Sequence, residues 1–217
     1  MALLYKYPIV KRSFYLNLLM IIAFAKAYSQ SNSSHRVYEN SKITTIDIFL
    51  ETTIELEIIT TKGNQIKIVE SQSGEYRNAV LLNTEISNDT LKITDPFNPS
   101  FIFPQDKLGA HKTLDGKATI YFPENLILEI NSRQCFVTIN GIYSNCYVNL
   151  ESGSCILKDL KGDFQIVSVN AMVTVINPSS YIEISSKYGV ITQLTSEPVV
   201  NYKQKIETIN SNITIKD

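Results

Sequence analysis

Apolar and polar residues alternate over short stretches of this chain, with the two-residue period of a β-strand that buries one face. The longest alternating stretches are residues 43–50 (ITTIDIFL), 54–60 (IELEIIT) and 65–70 (QIKIVE). Residues 79–86, 90–94 and 117–122 follow the same pattern. Residues 62–64 (KGN) predict a hairpin-like turn. No helical period is convincing after residue 30, so the sequence predicts an all-β protein.

A second pattern, a recurring apolar–x–Ser unit, begins at residue 130. The units follow one another at similar intervals, and a second short β-type run comes after each one. They are Ile130-Asn-Ser132, Leu150-Glu-Ser152, Ile166-Val-Ser168, Ile184-Ser-Ser186 and Ile209-Asn-Ser211. A nearly fixed period indicates stacked repeats. The longest interval, from Ser186 to Ser211, is explained by an inserted loop over residues 196–205.

Stacked repeats with strands this short predict a β-solenoid-like fold, in which neighbouring coils pair about 4.8 Å apart and bury a shared core. An antiparallel sandwich with evenly spaced turns is the alternative. No linker divides the chain, so we predict one domain over residues 30–217. Its longer strands occupy 30–122, and coils of about 16–20 residues occupy 123–217.

Three cysteines fall within the repeats. If Ser132 stacks on Ser152, then Cys135 stacks on Cys155, at a spacing that a disulfide tolerates. Two buried thiols that pack as small apolar groups are the alternative. Cys146 is predicted to be a buried thiol at a turn.

Residues 1–29 have the pattern of an export signal. Three basic residues precede an apolar stretch, residues 14–25, and small residues end the segment. Cleavage is predicted after Ser29, with Ala27 as a second acceptable position. An uncleaved anchor is the alternative, although a spanning helix needs about 20 apolar residues. The chain is therefore expected in the periplasm, on the cell surface or outside the cell.

Charge and composition exclude several classes of partner. Residues 1–29 hold four basic and no acidic residues, which leaves 16 basic and 21 acidic residues in the mature chain. This balance argues against nucleic acid, which requires a basic patch. No second segment is apolar enough to span a membrane. Three cysteines without CxxC spacing and two histidines predict no metal site and no cofactor.

Two groups of residues are candidates for catalysis. Asp106 and His111 could form part of a general-base pair, but no nucleophile motif accompanies them. Glu129 and Glu183 occupy equivalent positions in the predicted coils. Two carboxylates flanking a glycosidic bond would stand about 5–9.5 Å apart. A solvated outer face of polar residues explains the same pattern.

Other residues suggest binding rather than reaction. Tyrosines lie in or beside the repeats, where they either bind glycans and proteins or pack at coil corners. They are Tyr143, Tyr147, Tyr181 and Tyr188. Thr90 follows Asp89 at a predicted turn. The Asp89-Thr90-Leu91 triplet resembles the O-glycosylation acceptor of exported Bacteroidota proteins.

The chain resembles the putative-adhesin β-strand-repeat family of secreted envelope proteins. The resemblance lies in the signal end AYSQ, the strand-rich IDIFLETTIELEI, the segment PQDKLGAHK with IYFPENLILEI, and the C-terminal TINSNITIKD. It implies a secreted or surface protein of no known activity. It supplies no catalytic residue. Ser-Gly-Asp turns, common in that family, are replaced here by other turns such as Ser-Lys-Tyr-Gly.

Together these patterns predict a non-enzymatic envelope protein that presents a rigid face to a glycan or an envelope protein. Two alternatives are a carbohydrate-active solenoid enzyme that uses Glu129 and Glu183, and a periplasmic partner of a regulatory system. The sequence does not fix the oligomeric state.

Overall fold

The computed structural model describes residues 32–39, 42–74, 79–80, 82–101, 114–194 and 200–217. The stretch Asn32–Asp217 forms one compact unit. Its described residues contain 12 strands and no helix, so the predicted all-β class is confirmed. The predicted signal over residues 1–29 lies outside the described residues.

All the strands belong to one curled, open sheet. They are β1 (Asn32–Glu39), β2 (Thr45–Leu50), β3 (Glu55–Thr61), β4 (Gln65–Gly74), β5 (Asn83–Ser87), β6 (Thr90–Thr94), β7 (Leu114–Pro123), β8 (Ile127–Ile176), β9 (Ser180–Ser186), β10 (Ile191–Leu194), β11 (Val200–Thr208) and β12 (Ile213–Lys216).

Strand β8 is 50 residues long and folds back beside itself. Its first part pairs with β2, the next with β3, and its last parts with β11 and β12, all in parallel. Within β8, the Asn149 side chain donates a hydrogen bond to Asn131, 18 residues earlier. The Ser152 hydroxyl likewise donates to the Arg133 carbonyl, 19 residues earlier. Successive stretches of β8 therefore lie side by side.

The direction of pairing distinguishes this sheet from an antiparallel sandwich. From Ile127 onward, every ladder between named strands is parallel. Antiparallel ladders join only β1 to β4, β4 to β7 and β5 to β6. The hairpin predicted at residues 62–64 is wrong, because β7 lies between β3 and β4.

The C-terminal segment breaks the order of the chain. Strand β11 lies between the 164–168 part of β8 and β9, parallel to both. Strand β12 lies in the same way between β8 and β10. The predicted loop over residues 196–205 is wrong for residues 200–205, which begin β11. Strands β11 and β12 therefore each lie between two strands that precede them in sequence.

Alternate residues of each strand build a core of isoleucine, leucine and valine. Ile48, Ile58 and Ile130 are fully buried in it. Tyr143 also lies in the core, with its ring edge-on to Phe122 at a centroid distance of 5.9 Å. This burial on one face fixes the register, since a shift of one residue would turn every apolar side chain outward.

All three cysteines are fully buried and carry free thiols. The neighbour of the Cys135 backbone is Gly153, because a Cβ placed on Gly153 would lie 2.1 Å from the Cys135 carbonyl oxygen. The register therefore differs by two residues from the predicted stacking of Cys135 on Cys155. The predicted disulfide between Cys135 and Cys155 is not formed in this structure, and mass spectrometry of non-reduced peptides tests whether it forms in the exported protein.

With the thiols kept reduced, we expect the protein to lose stability in alkaline solution. Burial raises the pKa of Cys135 and of Cys155 from 9.0 to about 12, and it raises that of Cys146 as well. The unfolded chain releases these protons from about pH 9, where the folded chain retains them. The free energy of unfolding should be unaffected by the thiols below pH 8. Above pH 9 it should fall by up to about 1.4 kcal/mol per pH unit per thiol.

Urea denaturation between pH 7 and pH 11 measures this effect. The Cys146→Val variant should show a shallower decline than the wild type, because it has one titrating thiol fewer. Equal slopes of unfolding free energy against pH for the two proteins would contradict the attribution of this decline to the buried thiols.

Candidate functional site: the Tyr181 groove

An open groove of about 560 Å³ lies where β9, β11 and the adjoining part of β8 meet. We call it the Tyr181 groove. Its lining residues are Asn145, Asp163, Phe164, Gln165, Tyr181, Glu183, Tyr202, Lys203, Gln204 and Lys205.

A bulge in β11 shapes the groove. Val200 pairs with Ser180 and Gln204 pairs with Ile182, so residues 201–203 all lie opposite Tyr181. Bulges of this kind re-aim side chains and are frequent beside functional sites. The Tyr202 N–H donates to the Ser180 hydroxyl at 2.8 Å. The bulge is thereby held to β9.

The same bulge is also held to β8. The Lys203 N–H donates to the Asp163 carboxylate at 3.0 Å. The Ser180 hydroxyl also donates to the Tyr202 carbonyl at 3.3 Å, so hydrogen bonds hold the bulge to both neighbouring strands.

Two tyrosines provide the aromatic surface of the groove. The side chain of Tyr181 is 70% exposed, and that of Tyr202 is half-buried. An exposed aromatic ring on a strand is a surface on which apolar ligand faces can pack.

The charged side chains of the groove balance one another. Lys205 lies 4.0 Å from Glu183, and it lies 3.2 Å from Glu207 beside the groove. Lys203 and Asp163 supply a second basic and a second acidic group. The lining therefore carries no net charge, which favours an uncharged ligand over an ionic one.

Gln204 is a buried amide at the groove with one unsatisfied atom. Its Nε2 donates to the Gly162 carbonyl at 3.1 Å and to the Ser179 hydroxyl at 3.4 Å. Its Oε1 has no hydrogen-bond partner in the described part of the chain. A buried acceptor left without a donor costs about 1–3 kcal/mol.

The structure places the predicted binding residues in three environments. Tyr181 and Glu183 lie in the groove. Tyr188 is exposed outside it, with the Lys187 ammonium 5.0 Å from the ring centroid, and Tyr147 is half-buried. Tyr143 is only 2% exposed and its hydroxyl donates to the Asn140 carbonyl, so its predicted place on a binding face is wrong.

Glu129 and Glu183 do not form a catalytic pair. Gln165 pairs with Lys205 and Lys205 with Glu183, so the inserted strand β11 separates Glu183 from β8. Glu129 lies on the far side, where it pairs with Asp47 of β2. Four strand spacings of about 4.8 Å put the two carboxylates about 19 Å apart, beyond the roughly 5–9.5 Å of a glycosidase pair.

The remaining candidates lie elsewhere. Asp106 and His111 fall outside the described residues. Thr90 is half-buried at the turn between β5 and β6, and its glycosylation stays a prediction. In the part of the chain that is described, no three metal-ligating side chains lie together, and no helix could cross a membrane.

Sequence reasoning missed the residues that β11 supplies, which are Tyr202, Lys203, Gln204 and Lys205. They were missed because the sequence predicted a loop over residues 196–205. The alternating pattern of YKQKIET, residues 202–208, was the available signal, since Gln204 and Ile206 are buried while Lys203 is exposed.

Comparisons with known proteins give a resemblance of fold. No family model and no curated protein sequence matches the chain. A solved structure of a putative cell adhesion protein from Clostridium sporogenes matches with a TM-score of 0.60 and 16% identity, over 86% of this chain and 99% of that one.

Two further solved structures match less well. One, a putative adhesin from Bacteroides fragilis, has a TM-score of 0.38 and 13% identity, over 85% of this chain and 97% of that chain. The other, a putative lipid binding protein from Parabacteroides distasonis, has a TM-score of 0.28 and 11% identity, over 86% and 97%. The predicted resemblance to the putative-adhesin family is confirmed as a resemblance of fold.

Proposed function

We propose that this chain, which shares its fold with proteins named as adhesins, is a non-enzymatic binding module that binds through the Tyr181 groove. The observation that carries the proposal is the β11 bulge, which sets Tyr202 and Lys203 opposite the exposed Tyr181. A sheet held by long parallel ladders provides a rigid support, so the groove is preorganised and loses little entropy on binding.

The ligand proposed for the groove is an uncharged saccharide. Sugar rings present apolar C–H faces that pack on tyrosine rings, and Tyr181 offers such a ring to solvent. Sugar hydroxyls both donate and accept hydrogen bonds. In the groove, the Lys205 ammonium offers a donor and the Glu183 carboxylate offers an acceptor. The balanced charges of the lining disfavour an ionic ligand.

We further propose that the side-by-side stretches of β8 are coils of a β-solenoid. The supporting observations are the parallel ladders from Ile127 onward and the hydrogen bonds that join successive stretches of β8. In this interpretation, β11 and β12 form a coil that is inserted out of sequence order.

The binding site is tested with purified protein on a panel of immobilised saccharides. We expect the wild type to bind at least one neutral saccharide. Tyr181→Ala should weaken that binding by at least about ten-fold, since truncation of an aromatic residue at the centre of a binding site costs about 2 kcal/mol or more.

Tyr188→Ala is the matched control. Its ring is as exposed as that of Tyr181 but lies outside the groove, so this variant should bind like the wild type. No binding across the panel, or equal losses in the two variants, would overturn the proposal.

Export to the cell surface is part of the proposed function, and periplasmic partnership is its alternative. Protease added to intact cells should remove an epitope on this chain while a periplasmic control protein survives. Loss of the epitope only after the outer membrane is opened would instead support the periplasmic alternative.

A further inference from the structure

The end of the sheet formed by β9 and β10 is uncovered in the described part of the chain. Among the described strands, β9 pairs only with β11, and β10 pairs only with β12. Their outer edges therefore offer unpaired N–H and C=O groups, which readily pair with another strand. At the opposite edge of the sheet, β1 also pairs with a single described strand, β4, but β1 carries the charged residues Arg36 and Glu39.

The uncovered end is also apolar. Ile191 stacks on Ile213, which is fully buried, yet Ile191 itself is 43% exposed because no strand covers it. Tyr188, Val190 and Leu194 are each largely exposed. Four large apolar side chains thus face solvent in one short segment. A cluster of this kind marks an interaction surface.

We propose that this end binds a second copy of the chain, with the two β9 strands paired antiparallel about a two-fold axis at Ser185. A two-fold interface uses the same patch on both copies, so the patch must be self-complementary. Tyr181, Glu183 and Ser185 are exposed and lie on one face of β9, and Lys187, the residue after the end of β9, is exposed as well. Pairing of the two edges also brings the uncovered core ends, each with its Ile191, towards each other.

Charge complementarity selects this register. With Ser185 on the axis, Glu183 of each copy lies opposite Lys187 of the other, which forms two cross-strand ion pairs. A register centred on Glu183 would oppose two carboxylates, which is unfavourable. Lys187 has no carboxylate within 4.0 Å among the described residues, and its ammonium lies 5.0 Å from the Tyr188 ring centroid. Glu183 is held only at 4.0 Å by Lys205.

A cysteine placed on the axis tests the register directly. In the full chain, as the cell processes it, Ser185→Cys should form a disulfide-linked dimer under mild oxidation, because residue 185 then faces its own copy. Ser34→Cys is the matched control, since Ser34 is also exposed but lies on β1 at the other edge of the sheet. We expect at least ten-fold more cross-linked dimer from Ser185→Cys. The three native thiols are buried and set the wild-type background.

Charge reversal tests the same pairing without a covalent bond. Lys187→Glu alone should weaken the dimer roughly ten-fold, because two attractive pairs become repulsive. The double variant Glu183→Lys with Lys187→Glu should restore the wild-type dissociation constant, measured by light scattering over a dilution series. Circular dichroism confirms that each variant is folded.

Three results would overturn the inference. One is a wild type that stays monomeric while Ser185→Cys cross-links no more than Ser34→Cys. The second is a dimer in which Ser185→Cys does not cross-link, which assigns the contact to another surface. The third is a double variant whose dimer has a dissociation constant as high as that of Lys187→Glu alone. The Ser185→Cys and Lys187→Glu results are distinguishable from failure of the saccharide proposal, because Ser185 and Lys187 lie outside the Tyr181 groove, whereas Glu183 lies in it.

Discussion

Replacing Gly153 with alanine should lower the free energy of unfolding by about 3 kcal/mol or more, and we expect much of the protein to be lost on expression. Gly153 has a φ of 108°, a conformation that side chains with a Cβ rarely adopt. A Cβ at this position would lie 2.1 Å from the carbonyl oxygen of Cys135 and 2.8 Å from its carbonyl carbon. Both atoms are backbone of the adjoining stretch of β8, so relief of the clash would separate two paired stretches.

Urea denaturation of Gly153→Ala beside Gly63→Ala measures this effect. Gly63 has no atom within 3.4 Å of its virtual Cβ and no positive φ, so alanine there should change stability by less than about 0.5 kcal/mol. Equal stability of the two variants would contradict the close approach of Gly153 to Cys135, and with it the register of β8.

Removal of the Asp95 carboxylate should cost about 3–5 kcal/mol of unfolding free energy. Asp95 is 2% exposed and follows the end of β6. Its side chain accepts hydrogen bonds from the N–H groups of Glu51, Thr52 and Thr53 at 2.7, 2.9 and 2.5 Å. Asp95→Ala would leave these three donors, which connect β2 to β3, without their acceptor.

Asp95→Asn separates shape from charge at the same position. The amide keeps the volume but replaces an acceptor oxygen with a donor, so we expect a loss of stability close to that of alanine. Glu85→Ala removes an exposed carboxylate on β5 and should be nearly neutral. Denaturation midpoints near the wild-type value for both Asp95 variants would contradict this prediction. They would show that water accepts the hydrogen bonds of the three N–H groups in place of Asp95.

Most of the local structure follows from the sequence because strand formation depends on alternation within a few residues. The alternation over residues 90–94 predicts a strand, and β6 has the same bounds. A turn is predicted at residues 87–89 as well, and the positive φ of Asn88 is a conformation that asparagine tolerates.

The pairing of strands is less predictable because it depends on contacts between distant residues. The residue types at Lys62, Gly63 and Asn64 are typical of a hairpin turn. However, β7, which comes much later in the chain, lies between β3 and β4. In the same way, β11 enters between β8 and β9. No local sequence pattern predicts which strand a later strand will pair with.

The candidate site follows from the sequence only in part, for the same reason. Tyr181 and Glu183 belong to a strand that the repeat identifies, and both line the groove. Tyr202 joins them only because β11 pairs with β9 through a bulge, which is a property of the ladder. The insertion of β11 also separates Glu183 from Glu129, which removes the glycosidase-like pair that the sequence suggested.

The central claim is that the Tyr181 groove binds a saccharide outside the cell. Adherence of intact cells to a surface coated with the saccharide that the panel selects tests it most directly. Cells that carry the wild type or Tyr188→Ala should adhere, and cells with equal amounts of Tyr181→Ala should fall to the level of cells without the protein. Equal adherence by all three, or adherence by none, would contradict the account.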